Sequence, residues 1–270
     1  MKPMLDHDNI QKAVALLEEA EKSRVQTGLI SLRHPDATMD DAYAIQLAWI
    51  KSKLAGGRKV IGWKIGLTSK AMQQQLNITT PDSGYLLDDM YFDDGATIPK
   101  ARFIQPRIEA EIAFVMKHDL KGPNVTPQQV IDATDYIAPS LEILDTRIMR
   151  VDPMTKKTRN IVDTISDNAA NAGVVLGKQK FDPRKTDMRW MGAIVLRNGE
   201  VEETGLGAGV LNDPALSMSW LVNRLAVYGE GLSAGQIVLS GSFVRAIEAP
   251  SGSEIVADFG PHGKVSCNFA

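Results

Sequence analysis

The chain opens with two stretches of helical periodicity. Across residues 9–26, Ile10, Ala13, Val14, Leu17 and Ala20 recur at three- and four-residue intervals with charges between them, which predicts an amphipathic helix ended by Gly28. Thr38 with Asp41 three places on is a capping-box pattern, and the helix it opens carries Ala42, Ile45, Ala48 and Trp49 before stopping at Gly56 and Gly57. After Lys59 the period drops to two. Residues 60–67 read as a strand with Ile61, Trp63, Ile65 and Leu67 on one side and Val60, Gly62, Lys64 and Gly66 on the other. Thr68 or Ser69 then caps a short helix reaching Leu76. Further strands are predicted at 104–116, 136–144, 172–176, 190–197, 200–204, 236–241, 254–259 and 264–269. Asn198-Gly199 signals a two-residue hairpin, 260–263 a second turn, and Asp213-Pro214 the start of a helix with Leu216, Trp220, Leu221 and Leu225. Together these elements predict an α+β protein: a β-rich domain of mixed or antiparallel sheet over residues 59–270, behind a small helical N-terminal layer over residues 1–58.

One predicted strand departs from ordinary patterning. In Arg107-Ile108-Glu109-Ala110-Glu111-Ile112-Ala113-Phe114-Val115, alternation puts Ile108, Ala110, Ile112 and Phe114 on one face and Glu109 and Glu111 on the other, which continues apolar through Ala113 and Val115. Two carboxylates about 7 Å apart on a strand repel by about 2 kcal/mol at an effective dielectric near 20. A hard divalent cation offsets that repulsion, since carboxylate oxygens suit magnesium, calcium or manganese. Glu142, a lone acid within Ile137-Ala138-Pro139-Ser140-Leu141-Glu142-Ile143-Leu144, offers a third oxygen ligand. A solvent-facing strand with basic partners would carry the same pattern, and an edge position or ion pair would account for Glu142 alone. The four histidines, His7, His34, His118 and His262, match no ligand spacing.

Lys64 sits among Ile61, Gly62, Trp63, Ile65 and Gly66, where the flanking glycines leave room for a ligand. If it is desolvated, its pKa falls toward neutrality and it can move protons. A lysine snorkelling to water is the alternative. Gly205-Leu206-Gly207-Ala208-Gly209 lacks the ending that a phosphate loop requires.

Composition narrows the classes. A net charge of −3 with 23% charged residues gives no electrostatic case for nucleic acid, and the basic run at 154–159 reads as a solvated loop. The single cysteine, Cys267, excludes an internal disulfide and fits a reducing compartment. Residues 1–10 lack a signal-peptide core, and no run reaches the roughly 18 apolar residues of a membrane span. A cytoplasmic protein with no membrane partner is the expectation.

Several motifs in order resemble one family over nearly the whole chain. Gly62-Trp63-Lys64-Ile65-Gly66-Leu67-Thr68-Ser69-Lys70, Pro81-Asp82, Leu86-Leu87-Asp88-Asp89-Met90, Arg107-Ile108-Glu109-Ala110-Glu111, Leu141-Glu142, Ile165-Ser166-Asp167-Asn168-Ala169-Ala170-Asn171-Ala172-Gly173 and Gly241-Ser242-Phe243 look like the 2-oxo-hept-4-ene-1,7-dioate hydratases. That group sits with hydroxypentadienoate hydratases and oxalocrotonate decarboxylases in the fumarylacetoacetate hydrolase superfamily. The resemblance implies a fold like that superfamily's C-terminal domain, and assembly as a homo-oligomer. It implies magnesium, or manganese in its place, at Glu109, Glu111 and Glu142, with Lys64 and Asp82 handling protons and Ser166, Asn168 and Ser242 near a small 2-oxo-enoic acid. Trp63 stands where some members carry histidine.

On this reading the metal chelates the substrate's carboxylate and 2-oxygen, Lys64 and Asp82 move a proton, and water adds at C4. Decarboxylation of a 2-oxo-enedioate, hydration of 2-hydroxypentadienoate, and a non-catalytic metal-binding subunit are the rivals. Acylpyruvate hydrolysis fits less well, because no histidine lies near the acidic motifs. Arg33, Lys70 and Arg245 are the candidates for binding a second carboxylate.

Overall fold

The protein's structure is a computed structural model that describes residues 5–75 and 78–270, with residues 71, 72 and 75 described through their backbone alone. The predicted helix end at Leu76 and the first four residues of the acidic start lie outside them.

Three helices form the N-terminal layer: α1 (His7–Ser23), α2 (Ile30–Arg33) and α3 (Met39–Ala55). The Asp6 side chain accepts from Asn9 N and starts α1. At α3, Asp41 N donates to Thr38 Oγ1 at 3.3 Å and Thr38 N donates back to Asp41 Oδ2 at 2.8 Å, so the predicted capping box forms. Ala13, Val14, Leu17, Ala42, Ile45 and Trp49 share an apolar cluster with Ile148, Val162 and Ile165. The layer is therefore fastened to a later helix, α6 (Ile161–Ser166), which carries Val162 and Ile165. Helix α1 stops sooner than its periodicity predicts, with Arg24 left-handed at φ 61°. The reason is tertiary: Arg24 Nε donates to Ala101 O, and Thr27 is drawn into bonds with Arg147 and Met149.

The remaining helices are α4 (Lys70–Gln75), α5 (Pro127–Ala133), α6 (Ile161–Ser166) and α7 (Pro214–Ala226). Strands in chain order are β1 (Val60–Gly66), β2 (Asp82–Leu87), β3 (Tyr91–Asp93), β4 (Ala96–Ile98), β5 (Arg107–Met116), β6 (Thr134–Leu144), β7 (Asn171–Leu176), β8 (Gly192–Arg197), β9 (Glu200–Leu206), β10 (Ile237–Ser242), β11 (Ile247–Glu248), β12 (Glu254–Asp258) and β13 (Lys264–Phe269). The larger sheet runs β2-β1-β10-β5-β6-β7-β3, with β11 on β5; the smaller runs β4-β13-β12-β8-β9. Pairs β1–β10, β3–β7 and β4–β13 are parallel and the others antiparallel, which makes this the mixed-sheet α+β architecture.

One face of the larger sheet, carrying Trp63, Ile65, Ile108, Ala110, Ile112, Phe114, Leu141 and Ile143, packs against Val195, Ile255, Val265 and Cys267 of the smaller sheet and Met218, Leu221 and Leu225 of α7. Cys267 is structural, its thiol pushed up to about 12 by burial and then by Asp94. The opposite face keeps a smaller apolar floor of Leu86, Ala113, Val174 and Leu239. Beyond that floor this face turns polar.

Several boundaries moved for identifiable reasons. Residues 104–106 are not strand, because Asp145 accepts from Ile104 N and Gln105 N and holds them as a loop. Trp190 belongs to a turn closed onto Asp187, so β8 begins at Gly192. The Asn198-Gly199 hairpin is as predicted, both residues at positive φ and Arg197 paired with Glu200. Strand β2 and helices α5 and α6 had no counterpart in the periodicity. Both helices do carry capping boxes, Thr126 with Gln129 and Asn160 with Asp163, that could have revealed them. Among the described residues, no helix is long and apolar enough to cross a membrane.

Candidate active site

Strands β5 and β6 pair antiparallel with Glu109 opposite Glu142 and Glu111 opposite Ser140. Directly opposed residues project to the same face, so the three glutamates share the polar side of the larger sheet. Each offers a carboxylate oxygen, and these atoms lie within 4.8 Å of one another. Glu111 and Glu142 are fully buried, while Glu109 stays partly open. Gly241 N donates to Glu111 Oε2 at 2.7 Å. That donor exists because β10 loses register between Leu239 and Ser242, with Gly241 at φ 115°, where an added Cβ would stand 2.3 Å from Thr68 Oγ1.

Burial and then repulsion from Glu142 raise the Glu109 carboxyl to about 8. Burial, then Glu142 and Glu109, raise Glu111 well above the usual carboxylate range. Burial raises Glu142 too, with Lys64 opposing. Glu111 Oε1 and both Glu142 oxygens have no hydrogen-bond partner.

Across the sheet, β1 sets Lys64 opposite Gly84 and Gly66 opposite Asp82. The Lys64 ammonium stands 3.4 Å from Glu142 Oε1. Sequence reasoning expected a lowered lysine pKa, and the structure corrects this. Burial does favour the neutral form, but Glu142, Asp82, Glu109 and Glu111 together outweigh it and hold the ammonium more firmly than usual. Asp82 is buried beside it with Oδ1 unpartnered, its pKa raised by burial against the pull of Lys64 and Arg159. Gly66 makes the approach fit: a Cβ there would come within 2.2 Å of Asp82 Oδ1 and 2.9 Å of Lys64 Nζ. Trp63 points to the other face, into the core, with its ring centroid 4.1 Å from that of Tyr85. A histidine at that position would not reach the acids.

One ammonium cannot balance four carboxylates, three of them buried, and the oxygens of Glu111 and Glu142 that lack hydrogen bonds converge with Glu109 on one small volume. An oxygen-only donor set of this kind fits a hard divalent cation.

The other predicted residues divide. Ser166 is fully buried on α6, with a hydroxyl that has no partner. Asn168 is occupied with Tyr85, accepting from its N at 2.8 Å and donating to its O at 2.9 Å, so it clamps β2. Ser242 lies opposite Glu111, but its hydroxyl donates to Val244 O at 2.8 Å. Arg33 is exposed beside α1, Lys70 is exposed, and Arg245 pairs with Glu203 on the surface. Sequence reasoning missed the Arg147–Asp167 ion pair at 2.5 Å, which braces the turn carrying Asn168. It also missed Gln46, which ties Ser83 O of β2 to Ile165 O of α6.

No family model matches the chain. Over 253 residues it is 53% identical to the 2-oxo-hept-4-ene-1,7-dioate hydratase of Escherichia coli, covering 94% of this chain and 95% of that one. It is 40% identical over 251 residues to the 2-hydroxyhexa-2,4-dienoate hydratase of Comamonas testosteroni, covering 92% and 93%. Among solved structures, 4-oxalocrotonate decarboxylase from Pseudomonas putida G7, complexed with magnesium and adipate, matches 100% of both chains with a TM-score of 0.93 at 32% identity.

Proposed function

Because the chain belongs to the hydratase and decarboxylase family of the fumarylacetoacetate hydrolase superfamily, we propose that it hydrates 2-oxo-hept-4-ene-1,7-dioate to 4-hydroxy-2-oxoheptanedioate in the breakdown of aromatic compounds. The carrying observation is the 53% identity to a hydratase of that substrate, over a chain whose three glutamates, lysine and aspartate share one sheet face.

Glu109, Glu111 and Glu142 would hold magnesium, or manganese in its place. When bound, the ion supplies a Lewis acid for the carboxylate and 2-oxygen of the substrate and lowers the energy of its enolate. Asp82, with an unpartnered oxygen close to Lys64, takes a proton from C3. Lys64, held as the ammonium by its carboxylate neighbours, returns one at C5, leaving a conjugated 2-oxo-3-enoate. Water then adds across that double bond, hydroxide to C4 and proton to C3, so the net change is one water per substrate. Ser166, with its unpartnered hydroxyl, is the nearer candidate for substrate contact; Asn168 and Ser242 shape the wall through Tyr85 and Val244.

A homo-oligomer and a cytoplasmic setting belong to the proposal. The first is supported by the outward apolar side chains Trp190, Ile194, Val201 and Leu206 on and beside β8 and β9, and the second by one buried, unpaired cysteine. The deciding experiment incubates the purified chain with 2-oxo-hept-4-ene-1,7-dioate in labelled water, with and without magnesium. Incorporation of label at C4 supports hydration. Release of carbon dioxide with no label assigns the decarboxylase chemistry instead.

A further inference from the structure

Strand β2 carries Asp82 and lies at one end of the larger sheet, where among the described residues it pairs with β1 alone. The outer side of such a strand presents backbone N–H and C=O groups that no ladder satisfies. Here side chains take the place of a strand. Tyr85 N donates to Asn168 Oδ1 at 2.8 Å, and Tyr85 O accepts from Asn168 Nδ2 at 2.9 Å and Asn171 Nδ2 at 2.8 Å. Two residues earlier, Ser83 N donates to the Tyr43 hydroxyl at 3.3 Å, and Ser83 O accepts from Gln46 Nε2 at 2.9 Å. Alternate residues of a strand turn their backbone groups the same way, so these four groups form the outer edge beside Asp82, and all four are taken.

Gln46 differs from the other partners in where it comes from. It belongs to α3 in the N-terminal layer and is 2% exposed, on a helix side that also buries Ala42, Ile45 and Trp49. A buried amide is costly unless its N–H groups are bonded, and Nε2 makes a second bond to Ile165 O of α6 at 3.0 Å. One amide therefore ties α3 and α6 to β2, at the residue next to Asp82.

Asp82 depends on that tie more than the other reacting groups do. Its Oδ1 has no hydrogen-bond partner, so the carboxylate takes its place from the strand beneath it. Consecutive Cα atoms are held about 3.8 Å apart, and a shift at Ser83 is carried into Asp82. Lys64, by contrast, lies on β1, which is laddered to β2 on one side and β10 on the other, and the glutamates lie on β5 and β6 inside the sheet. Neither bond of Gln46 goes to those strands.

We infer that Gln46 is a positioning residue for the proton transfer assigned to Asp82, through which the N-terminal layer takes part in the reaction without touching the substrate. The inference rests on the role given to Asp82 above and deepens it. A base must stand within hydrogen-bond reach of the proton it removes, and the amide fixes the strand that sets this reach.

The test uses 2-oxoheptanedioate, a saturated analogue with no double bond to hydrate, in deuterated water with magnesium. Asp82 takes a proton from C3, the electron pair of that bond moves into the enolate, and a deuteron from solvent returns to C3, so proton NMR reads the step as loss of the C3 signal. In Gln46→Met the exchange rate falls by about 10²-fold, as misplacement by an ångström does, while magnesium and analogue affinities measured by calorimetry stay within about threefold. Gln46→Glu keeps the size and, protonated by burial, one donor, so it recovers part of the rate. It also carries the test should the methionine variant not fold. Unchanged exchange in a folded variant overturns the inference, as does an equal fall in both affinities, which would make Gln46 a support of the whole pocket. Absence of exchange in the unmodified chain overturns it too, by removing the role of Asp82. Turnover of 2-oxo-hept-4-ene-1,7-dioate by the unmodified chain tests the hydratase reading separately: exchange without hydration would sink that reading and leave the role of Gln46 standing.

Discussion

Lys64 Nζ and Glu142 Oε1 lie 3.4 Å apart on neighbouring regions of one sheet face, with both side chains almost sealed from water. Lys64 reaches Glu142 across β10 and β5, so the contact exists only when four strands are in register. Removing the ammonium leaves Glu142 without its ion-pair partner and, on the proposed mechanism, the reaction without its proton donor. Lys64→Met is expected to lower kcat by about 10²–10⁴-fold, the usual worth of a positioned acid or base. Stopped-flow absorbance on 2-oxo-hept-4-ene-1,7-dioate measures it, and unimpaired turnover would dismiss the role given to Lys64.

Glu111→Gln separates metal binding from folding. The amide keeps an acceptor for Gly241 N but removes one charge from a crowded cluster. Magnesium affinity should drop beyond the roughly 10–100-fold typical of outer-shell partners, while the metal-free variant melts at a higher temperature than the unmodified chain. Calorimetric titration and a thermal melt read the two effects. A lower melting temperature would contradict the repulsion argument.

The metal-free protein should lose stability as pH rises. Glu109 titrates at about 8 when folded against a reference of 4.5, so between those values the folded chain binds more protons than the unfolded one. Stability from this group is complete below about pH 4.5 and disappears as pH climbs through 8. Magnesium displaces those protons, so its affinity rises over the same window. Denaturant melts at pH 6 and 8, with and without magnesium, should show the larger metal-induced gain at pH 8.

Gly66→Ala probes crowding at the reacting groups. The atoms nearest the new methyl, Asp82 Oδ1, Lys64 Nζ and Asp82 Cγ, all belong to side chains. The chain should fold, with circular dichroism unchanged, while kcat/KM falls by about 10²-fold, as misplacement by an ångström does. Full activity would show that Asp82 and Lys64 have slack that the packing does not suggest.

Arg147→Met should be the most destabilising of these changes. It leaves Asp167 buried without its guanidinium, a loss of about 3–5 kcal/mol, measured by urea unfolding. Because Asp167 also fixes Arg147 N and Ile148 N, the turn carrying Asn168 and its hold on Tyr85 loosen with it.

How much could be read beforehand follows from the range of the interactions. Local rules reached α3 with its capping box, α7 behind Asp213-Pro214, the Asn198-Gly199 hairpin and the inside and outside of β5, since each is settled by side chains within a few positions. Alternation alone put Glu109 and Glu111 on one face, and one acid in an apolar run singled out Glu142. The chain itself could not say that Glu142 would stand opposite Glu109, because strand register is set by pairing across 33 positions. It could not give the sign of the Lys64 shift, which depends on four acids brought from β2, β5 and β6. Charge, periodicity and capping are written in neighbouring residues, whereas burial and the sum of electrostatic fields exist only once distant strands have met.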